Sequence, residues 1–382
     1  VSTEAILVLN CGSSTIKFAL YEALTPLPRE PLWSGKVEGA GADALQAVRA
    51  LVAERTGGRP PAAIAHRVVH GGTRYTAPVL IDGEVLAQLR SYIPMAPLHQ
   101  PYALQAIELL LAQAPQLPQV ACFDTAFHRT LPRVEQMFPL PHELWERGVR
   151  RYGFHGLSYE YMALALPQRH GPAARGRTIV AHLGSGASLC AMRDLRSAAT
   201  TMGFSALDGL MMGTRCGSID PGVLLHLLQV ERMNVADVVQ LLYRKSGLLG
   251  VSGLSASPRD LLDAEATTPR ARTALDLYVR RIVREIGALA AVLGGLDMLA
   301  FTAGVGENSA EVRRRICAEL EWLGVQLDDD ANQAHAHTIS APRSRVLVAV
   351  EPTNEEYVAA LHTLETVRQP AHLGETRHAT EA

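Results

Sequence analysis

Three apolar runs of the chain end in turns of glycine and hydroxyl residues. They are Asn10-Cys11-Gly12-Ser13-Ser14-Thr15 after Ala5–Leu9, Gly184-Ser185-Gly186-Ala187-Ser188 after Ile179–Leu183, and Gly304-Val305-Gly306-Glu307-Asn308 after Met298–Ala303. A strand that runs into such a turn can wrap backbone N–H groups and hydroxyls around a phosphate, and Lys17, just past the first turn, can add a point charge. One such turn on its own reads first as a tight hairpin; three in one chain favour a nucleotide. No G-x-x-x-x-G-K-[ST] loop, G-x-G-x-x-G fingerprint or G-x-S-x-G elbow occurs, which removes the main support for P-loop, Rossmann and α/β-hydrolase readings. His142-Glu143 opens like a zinc-protease motif, but the second His is missing because Glu146 stands there.

Further candidates are side chains set among glycines or on a strand. In His66-Arg67-Val68-Val69-His70-Gly71-Gly72 the period of two puts His66 and His70 on one face and Arg67 and Val69 on the other. No third metal ligand stands nearby, so the two histidines read as structural, whereas Arg67 can match carboxylate or phosphate oxygens or serve in an ordinary ion pair. Phe123-Asp124-Thr125-Ala126-Phe127-His128, Tyr152-Gly153-Phe154-His155-Gly156 and Gly209-Leu210-Met211-Met212-Gly213-Thr214-Arg215-Cys216-Gly217 do not yield to periodicity. The glycines beside His155 and Arg215 suggest backbone kept clear of a ligand.

The elements that would carry these residues alternate between strand and helix, which argues for α/β architecture. The first two strand-turn-strand units share a pattern: laying Gly12 on Gly184 puts Ser13 on Ser185 and Ala19 on Ala191, so an internal duplication is expected. Long helices are predicted over Ala271–Leu293 and Ala310–Leu323, a strand over Val346–Val350, and loops at Thr25–Pro31, Thr56–Pro61 and Arg169–Arg177. Thr353-Asn354-Glu355-Glu356 has the form of a capping box, with Thr353 as the cap and the Glu355 carboxylate left for other work. The tail from Gln369 is polar and is expected to fray.

Composition sets the outer limits. The 382 residues suggest two domains or three, and 48% hydrophobic with 19% charged residues describes an ordinary folded chain. Lys and Arg number 36 against 38 Asp and Glu, so no basic surface is forced and nucleic acid is not an expected partner. The opening residues lack a signal-peptide pattern, and Ile286–Gly306, the best imitation of a membrane span, holds Asp297 and several glycines and reads as helix, turn and strand. Five dispersed cysteines with no C-x-x-C pair argue against a disulfide framework and for a reducing cytoplasm.

Taken in order, Asn10 to Lys17, HRVVHGG at 66–72, Pro97-Leu98-His99, FDTAFH at 123–128, YGFHG at 152–156, GLMMGTRCG at 209–217, SGLLGVSG at 246–253, FTAGVGEN at 301–308 and PTNEE at 352–356 resemble the acetate kinase family over nearly the whole chain. The resemblance implies the acetate and sugar kinase, Hsp70 and actin fold: two duplicated α/β domains with the active site in the cleft between them. The expected domains are 1–125, completed by a C-terminal helix 356–382, and a nucleotide-binding domain 126–355. The resemblance further implies a homodimer, Mg²⁺ or Mn²⁺, and reversible transfer of the ATP γ-phosphoryl group to acetate, giving acetyl phosphate and ADP. Asn10 and Glu355 would hold the metal, and Ser13, Thr15 and Lys17 would lie by the phosphates. Arg67 and Arg215 would bracket the acetate and the moving phosphoryl group, with His155 donating to its oxygens and Asp124 near the metal and Arg side. His182, Gly184, Ser185 and Gly186, with Gly304, Gly306 and Asn308, would line the ADP side, and Val69, Leu98 and Phe154 would surround the acetate methyl.

The chain departs from the family's usual pattern at Ser185 (usually Asn), at Ser218 (usually Asp) and in Ala256-Ser257-Pro258-Arg259 (usually Ser-Asp-x-Arg). These changes fall on the adenine and ribose side, where Ser257 and Arg259 remain candidates. Ala206 stands where the methyl pocket usually has Pro, which would widen it toward propionate. A propionate or short-chain acyl kinase is therefore the alternative within the class. A kinase using pyrophosphate or another nucleotide rests only on Ser185 and Ser257. A non-catalytic ATP-binding module would not need Arg67, Asp124, His155, Arg215 and Glu355 together.

Overall fold

Short runs, most of them largely buried, make two sheets, each in its own unit of the chain. The structure is a computed structural model, and it describes residues 4–368. One unit runs up to Ala126 and resumes at Asn354; the other is Phe127–Thr353.

The sheet of the first unit contains β1 (Ala5–Cys11), β2 (Thr15–Glu22), β3 (Trp33–Glu38), β4 (Ala63–Val68), β5 (Val79–Leu80) and β6 (Gln119–Phe123), in the order β3-β2-β1-β4-β6-β5. Successive side chains point to opposite faces. Leu7, Leu9, Phe18, Leu20 and Ile64 pack on Leu45 and Val48 of helix Gly41–Thr56 and on Leu110 of helix Gln100–Gln113. Val68, Ala121 and Phe123 pack on Val85 and Leu89 of helix Gly83–Ser91. The intervening residues face helix Glu355–Arg368: the Cys122 thiol meets the Ala359 carbonyl, and Arg67 reaches Glu355. Alternation along β4 thus buries Val68 in the core and sends Arg67 to the start of that helix. His70 lies beyond the end of β4 at Val68, so it shares no strand face with His66.

The second unit repeats the plan with β7 (Arg177–Leu183), β8 (Ala187–Arg193), β9 (Arg196–Thr200), β10 (Met298–Thr302) and β11 (Leu347–Val350), ordered β11-β10-β7-β8-β9. In both sheets three antiparallel strands are followed by two parallel ones. The duplication read from the turns is therefore visible in the topology, with one correction to its register. Cys11 pairs with Ile16 but Leu183 pairs with Ala187, so the first turn is one residue longer. Because Val8 faces Ala19 and Val180 faces Cys190, the counterpart of Ala19 is Cys190 and not Ala191.

Other expectations need adjustment. The third glycine turn, Gly304–Asn308, is itself wound into a short helix, Ala303–Asn308. The helix expected to end at Leu323 stops at Ala318 and is followed by a 3₁₀ turn at Glu321–Leu323. The 169–177 loop contains a 3₁₀ turn, Gly171–Arg175. Helix Pro269–Leu293 buries Ala271, Leu275, Tyr278, Ile282, Ile286 and Leu293 on one stripe and packs against β8. No helix among the described residues is long and apolar enough to cross a membrane. Asn354, not Thr353, caps the last helix by accepting the Tyr357 N–H at 2.9 Å, because the Thr353 hydroxyl is engaged elsewhere. The helix is described as far as Arg368; residues 369–382 of the expected C-terminal helix and the polar tail lie outside the described residues.

Candidate active site

In the second unit the functional side chains gather on the turn between β7 and β8. The turn closes through the Gly184 N–H donating to the Gly186 carbonyl at 3.0 Å. A Cβ built on Gly186 would stand 2.6 Å from Arg215 Nη2 and 3.1 Å from His155 Nε2. One built on Gly184 would stand 3.6 Å from Ala303 Cβ and 3.9 Å from His182 Nε2. An arginine, two histidines and the start of the Gly304 turn therefore surround one stretch of bare backbone.

Each histidine is held from behind. The His155 and His182 rings stack with centroids 4.1 Å apart. His155 Nδ1 lies 2.8 Å from Ser188 Oγ, which is 2.5 Å from the Tyr159 hydroxyl. His182 Nδ1 lies 2.8 Å from Ser158 Oγ, which accepts from Thr353 Oγ1 at 2.9 Å. The local fold explains the convergence: His182 and Ser188 are cross-strand partners in β7 and β8, and helix Gly156–His170 starts with Ser158 and Tyr159 in its first turn. His155 precedes that helix in the left-handed region at φ 58°, a strained backbone for a non-glycine residue and one that the surrounding contacts must hold. His128 secures the preceding residue, with Nε2 2.9 Å from the Phe154 carbonyl and Nδ1 2.8 Å from Ser197 Oγ. Burial pushes the His128 imidazole down to about 4, against the pull of the Phe154 carbonyl, so it is neutral.

Arg215 sits in a loop closed by the Met212 N–H on the Arg215 carbonyl and the Ser218 N–H on the Gly209 carbonyl. Its Nη1 donates to the Ala206 carbonyl at 2.6 Å, and no carboxylate pairs with it among the described residues. Burial lowers this guanidinium to about 10. Three of the glycines that flank the two candidate residues in sequence face other groups. Gly153 makes room for the His128 ring, Gly213 for the Ala256 carbonyl and Gly217 for the Gly209 and Leu210 carbonyls; the glycine lying against His155 and Arg215 is Gly186.

Around the Gly304 turn, the Asn308 side chain donates to the Gly304 carbonyl, and the Glu307 carboxylate accepts N–H groups from Ala303 and Thr353. Arg313, fully buried, donates to the Gly306 and Glu307 carbonyls. Ser185 is exposed at its turn, and Arg259 is exposed on the short helix that begins after Ser257. Ser218 donates to Asp208 at 2.6 Å. Phe154 is buried, and Ala206 is half-buried with its carbonyl on Arg215.

The first unit gathers a second cluster. Arg67 Nε and Nη2 donate to the two oxygens of Asp124 at 2.9 and 2.8 Å, and Nη1 lies 3.0 Å from Glu355. Burial opposes the Arg67 charge, but the two carboxylates outweigh it and hold the guanidinium above its usual range. Burial also drives the Glu355 carboxyl up to about 7, with Arg67 pulling it down and Asp124 pushing it up. Asn10 faces Lys17 across β1 and β2, and the Thr15 carbonyl accepts the Gly12 N–H. Ser13 and Lys17 are exposed there, and Val69 and Leu98 are half-buried. His66, 2.8 Å from Gln119 and lowered by burial to about 4, is a structural residue.

Sequence reasoning missed Ser158, Tyr159, Ser188, Thr353 and Glu307. For Ser188 a signal existed, since the period of two places it on the same face as Gly186.

The acetokinase family model matches residues 60–361 of this chain. An acetate kinase of Rhodopseudomonas palustris is 51% identical, across 94% of this chain and 98% of that protein. Among solved structures, acetate kinase from Porphyromonas gingivalis has a TM-score of 0.85 at 36% identity, covering 95% of this chain and 100% of its own. A propionate kinase from Francisella tularensis has a TM-score of 0.88 at 33% identity, covering 94% and 98%.

Proposed function

The chain belongs to the acetokinase family, and on that premise we propose that it transfers the γ-phosphoryl group of ATP directly to acetate, reversibly, giving acetyl phosphate and ADP. The observation that carries the reading is Arg215, a half-buried guanidinium with no counter-ion among the described residues, set with His155 against the bare Gly184–Gly186 turn. A transferring phosphoryl group spreads negative charge over its equatorial oxygens, and catalysis consists mostly of positioning it and neutralising that charge. Arg215 and His155 are assigned to those oxygens, Arg67 with Arg215 to the acetate end, and His182 with the 184–186 and 304–306 turns to ADP.

The acceptor needs no base, because a carboxylic acid with a pKa of about 4–5 is already ionised at neutral pH. Asp124 fits that economy, since both its oxygens are committed to Arg67. Asp124→Asn should lower kcat by loosening Arg67 while the kcat–pH profile keeps its shape. A profile that gained a new inflection near neutrality would make Asp124 a proton acceptor instead.

The oxygen donors assigned to the metal in the first unit suit a magnesium ion. Asn10 and Glu355 offer oxygen only, and no group of three His, Cys, Asp or Glu is placed to cage a metal among the described residues. Mg²⁺ is characteristically held by one or two carboxylates together with waters and substrate phosphates. Bound there, it would neutralise charge on the nucleotide phosphates. The pH dependence has a definite sign. The folded Glu355 carboxyl holds its proton up to about 7, whereas unfolded Glu releases it near 4.3, so between those values the folded state binds more protons and stability falls as pH rises. Thermal melts without metal should show that decline, Mg²⁺ with ADP should offset it above pH 7, and Glu355→Gln should flatten the metal-free profile. An unchanged profile in that variant would assign the titration to another group.

The decisive test is a coupled assay of the purified protein with Mg·ATP and acetate, propionate or butyrate. Acetate should be the main substrate. Propionate is expected to turn over measurably, because one methylene in an apolar pocket discriminates only about 10- to 200-fold and Ala206 leaves room. Absence of turnover with every acid overturns the reading, and absence with propionate alone overturns the wider pocket.

We also propose a homodimer that covers helix Pro221–Gln229. Its sequence is largely apolar, yet it buries no residue in the isolated chain, with Val223 at 47% and Leu225 at 53% exposure. A second copy of the chain is the occupant consistent with the family. Leu225→Glu should convert a dimer to a monomer by light scattering; a wild-type monomer would remove the proposal. The five cysteines, unpaired in the structure, are consistent with the cytoplasm as the place of action.

A further inference from the structure

Proton bookkeeping behind the two stacked histidines fixes more than their orientation. Tyr159 is fully buried, and the one hydrogen-bond partner of its hydroxyl among the described residues is Ser188 Oγ, 2.5 Å away. The phenol stays protonated, since burial raises it well above its usual range. Its O–H must therefore donate to Ser188; the opposite arrangement would strand a buried donor. Ser188 has a single proton, and its remaining partner is His155 Nδ1 at 2.8 Å. His155 Nδ1 consequently accepts, and in a neutral imidazole the proton then resides on Nε2. An imidazolium would leave Ser188 accepting from both sides with its own proton unpaired.

The same order holds one ring away. Thr353 Oγ1 donates to Ser158 Oγ at 2.9 Å, and Ser158 lies 2.8 Å from His182 Nδ1, so His182 also accepts at Nδ1 and carries its proton on Nε2. The two Nε2 atoms are the ones that face the Gly184–Gly186 backbone. Stacking at 4.1 Å favours neutral rings, because two imidazolium charges that close would repel.

We propose that Tyr159 with Ser188, and Thr353 with Ser158, are positioning residues that hold His155 and His182 in the Nε2–H tautomer, so that each ring presents an N–H donor to the glycine turn. The proposal rests on the reading that phosphate oxygens occupy that turn: the other tautomer would aim a nitrogen lone pair at an anion.

The test is ¹⁵N-histidine NMR on the full chain, which separates the two ring nitrogens by whether each carries a proton, run beside the kinase assay. Wild type should show Nε2–H at both rings. Tyr159→Phe removes only the terminal donor, frees Ser188 to accept from Nδ1–H, and should turn His155 into a tautomer mixture. Its kcat should fall about 10- to 100-fold, by analogy with the loss of a partner that orients a metal-ligating histidine, with KM for ATP and acetate changing much less. Thr353→Val should do the same to His182 and serves if the first variant does not fold. Wild-type His155 protonated at Nδ1, or an unchanged tautomer in the folded variants, overturns the proposal. An inert wild type with both rings in the Nε2–H form would overturn the kinase reading and leave the hydroxyl relays standing.

Discussion

Arg215→Ala should lower kcat about 10³-fold or more, the range associated with removing an arginine that stabilises a phosphoryl transition state, while the melting temperature changes little. The second half of that expectation is the more specific. Arg215 is half-buried, with the Ala206 carbonyl as its one hydrogen-bond partner among the described residues, so its folded-state charge is not repaid by an ion pair there and removing it relieves a desolvation cost. Arg67→Ala should be just as inactive and behave oppositely on heating. It would leave the Asp124 and Glu355 carboxylates together without their cation, a loss on the order of 3 kcal/mol or more. Two arginines assigned to one reaction therefore carry different stability signatures, which calorimetry of the two variants reads directly. Activity of Arg215→Ala within tenfold of wild type would remove Arg215 from the mechanism.

The second large effect needs only one methyl group. Gly186→Ala should reduce kcat about 10²-fold, the order expected when a catalytic group is displaced by about 1 Å. The added carbon would lie 2.6 Å from Arg215 Nη2 and 3.1 Å from His155 Nε2, so the guanidinium must move. Gly186 does not occupy a left-handed conformation, so alanine can adopt its backbone and the fold should persist. Gly184→Ala meets its nearest atom, the Gly186 carbonyl oxygen, at 3.2 Å and should be milder. Near-normal turnover in Gly186→Ala would mean that Arg215 works equally well from a shifted position.

What the sequence made legible followed from local pattern. Alternation placed Arg67 apart from His66, apolar runs ending in glycine marked β1, β7 and β10, and the Ala- and Leu-rich stretch before β10 marked the long helix. What it concealed depended on distant partners. Tyr159 and Ser188 are far apart in the chain, as are Ser158 and Thr353, and no periodicity ties a hydroxyl to a hydroxyl on another element. The capping motif misled for the same reason: Thr353 had the right type and spacing, but Ser158 competed for its hydroxyl and Asn354 took over the cap. Glycines were recognised as space-makers without showing for whom, since that requires knowing which backbone lies opposite.

Residues 353 to 355 form a splice point. Thr353 ends one unit with its hydroxyl on Ser158 and its N–H on Glu307. Asn354 opens the other by capping the last helix and accepting from the Tyr21 hydroxyl, and Glu355 follows at once on Arg67. Each of the three is anchored within its own unit, Thr353 in one and Asn354 with Glu355 in the other, so no spacer residue separates the two sets of anchors. For anyone permuting or grafting this chain, that tripeptide is a boundary without a linker, although nothing in its composition announces it.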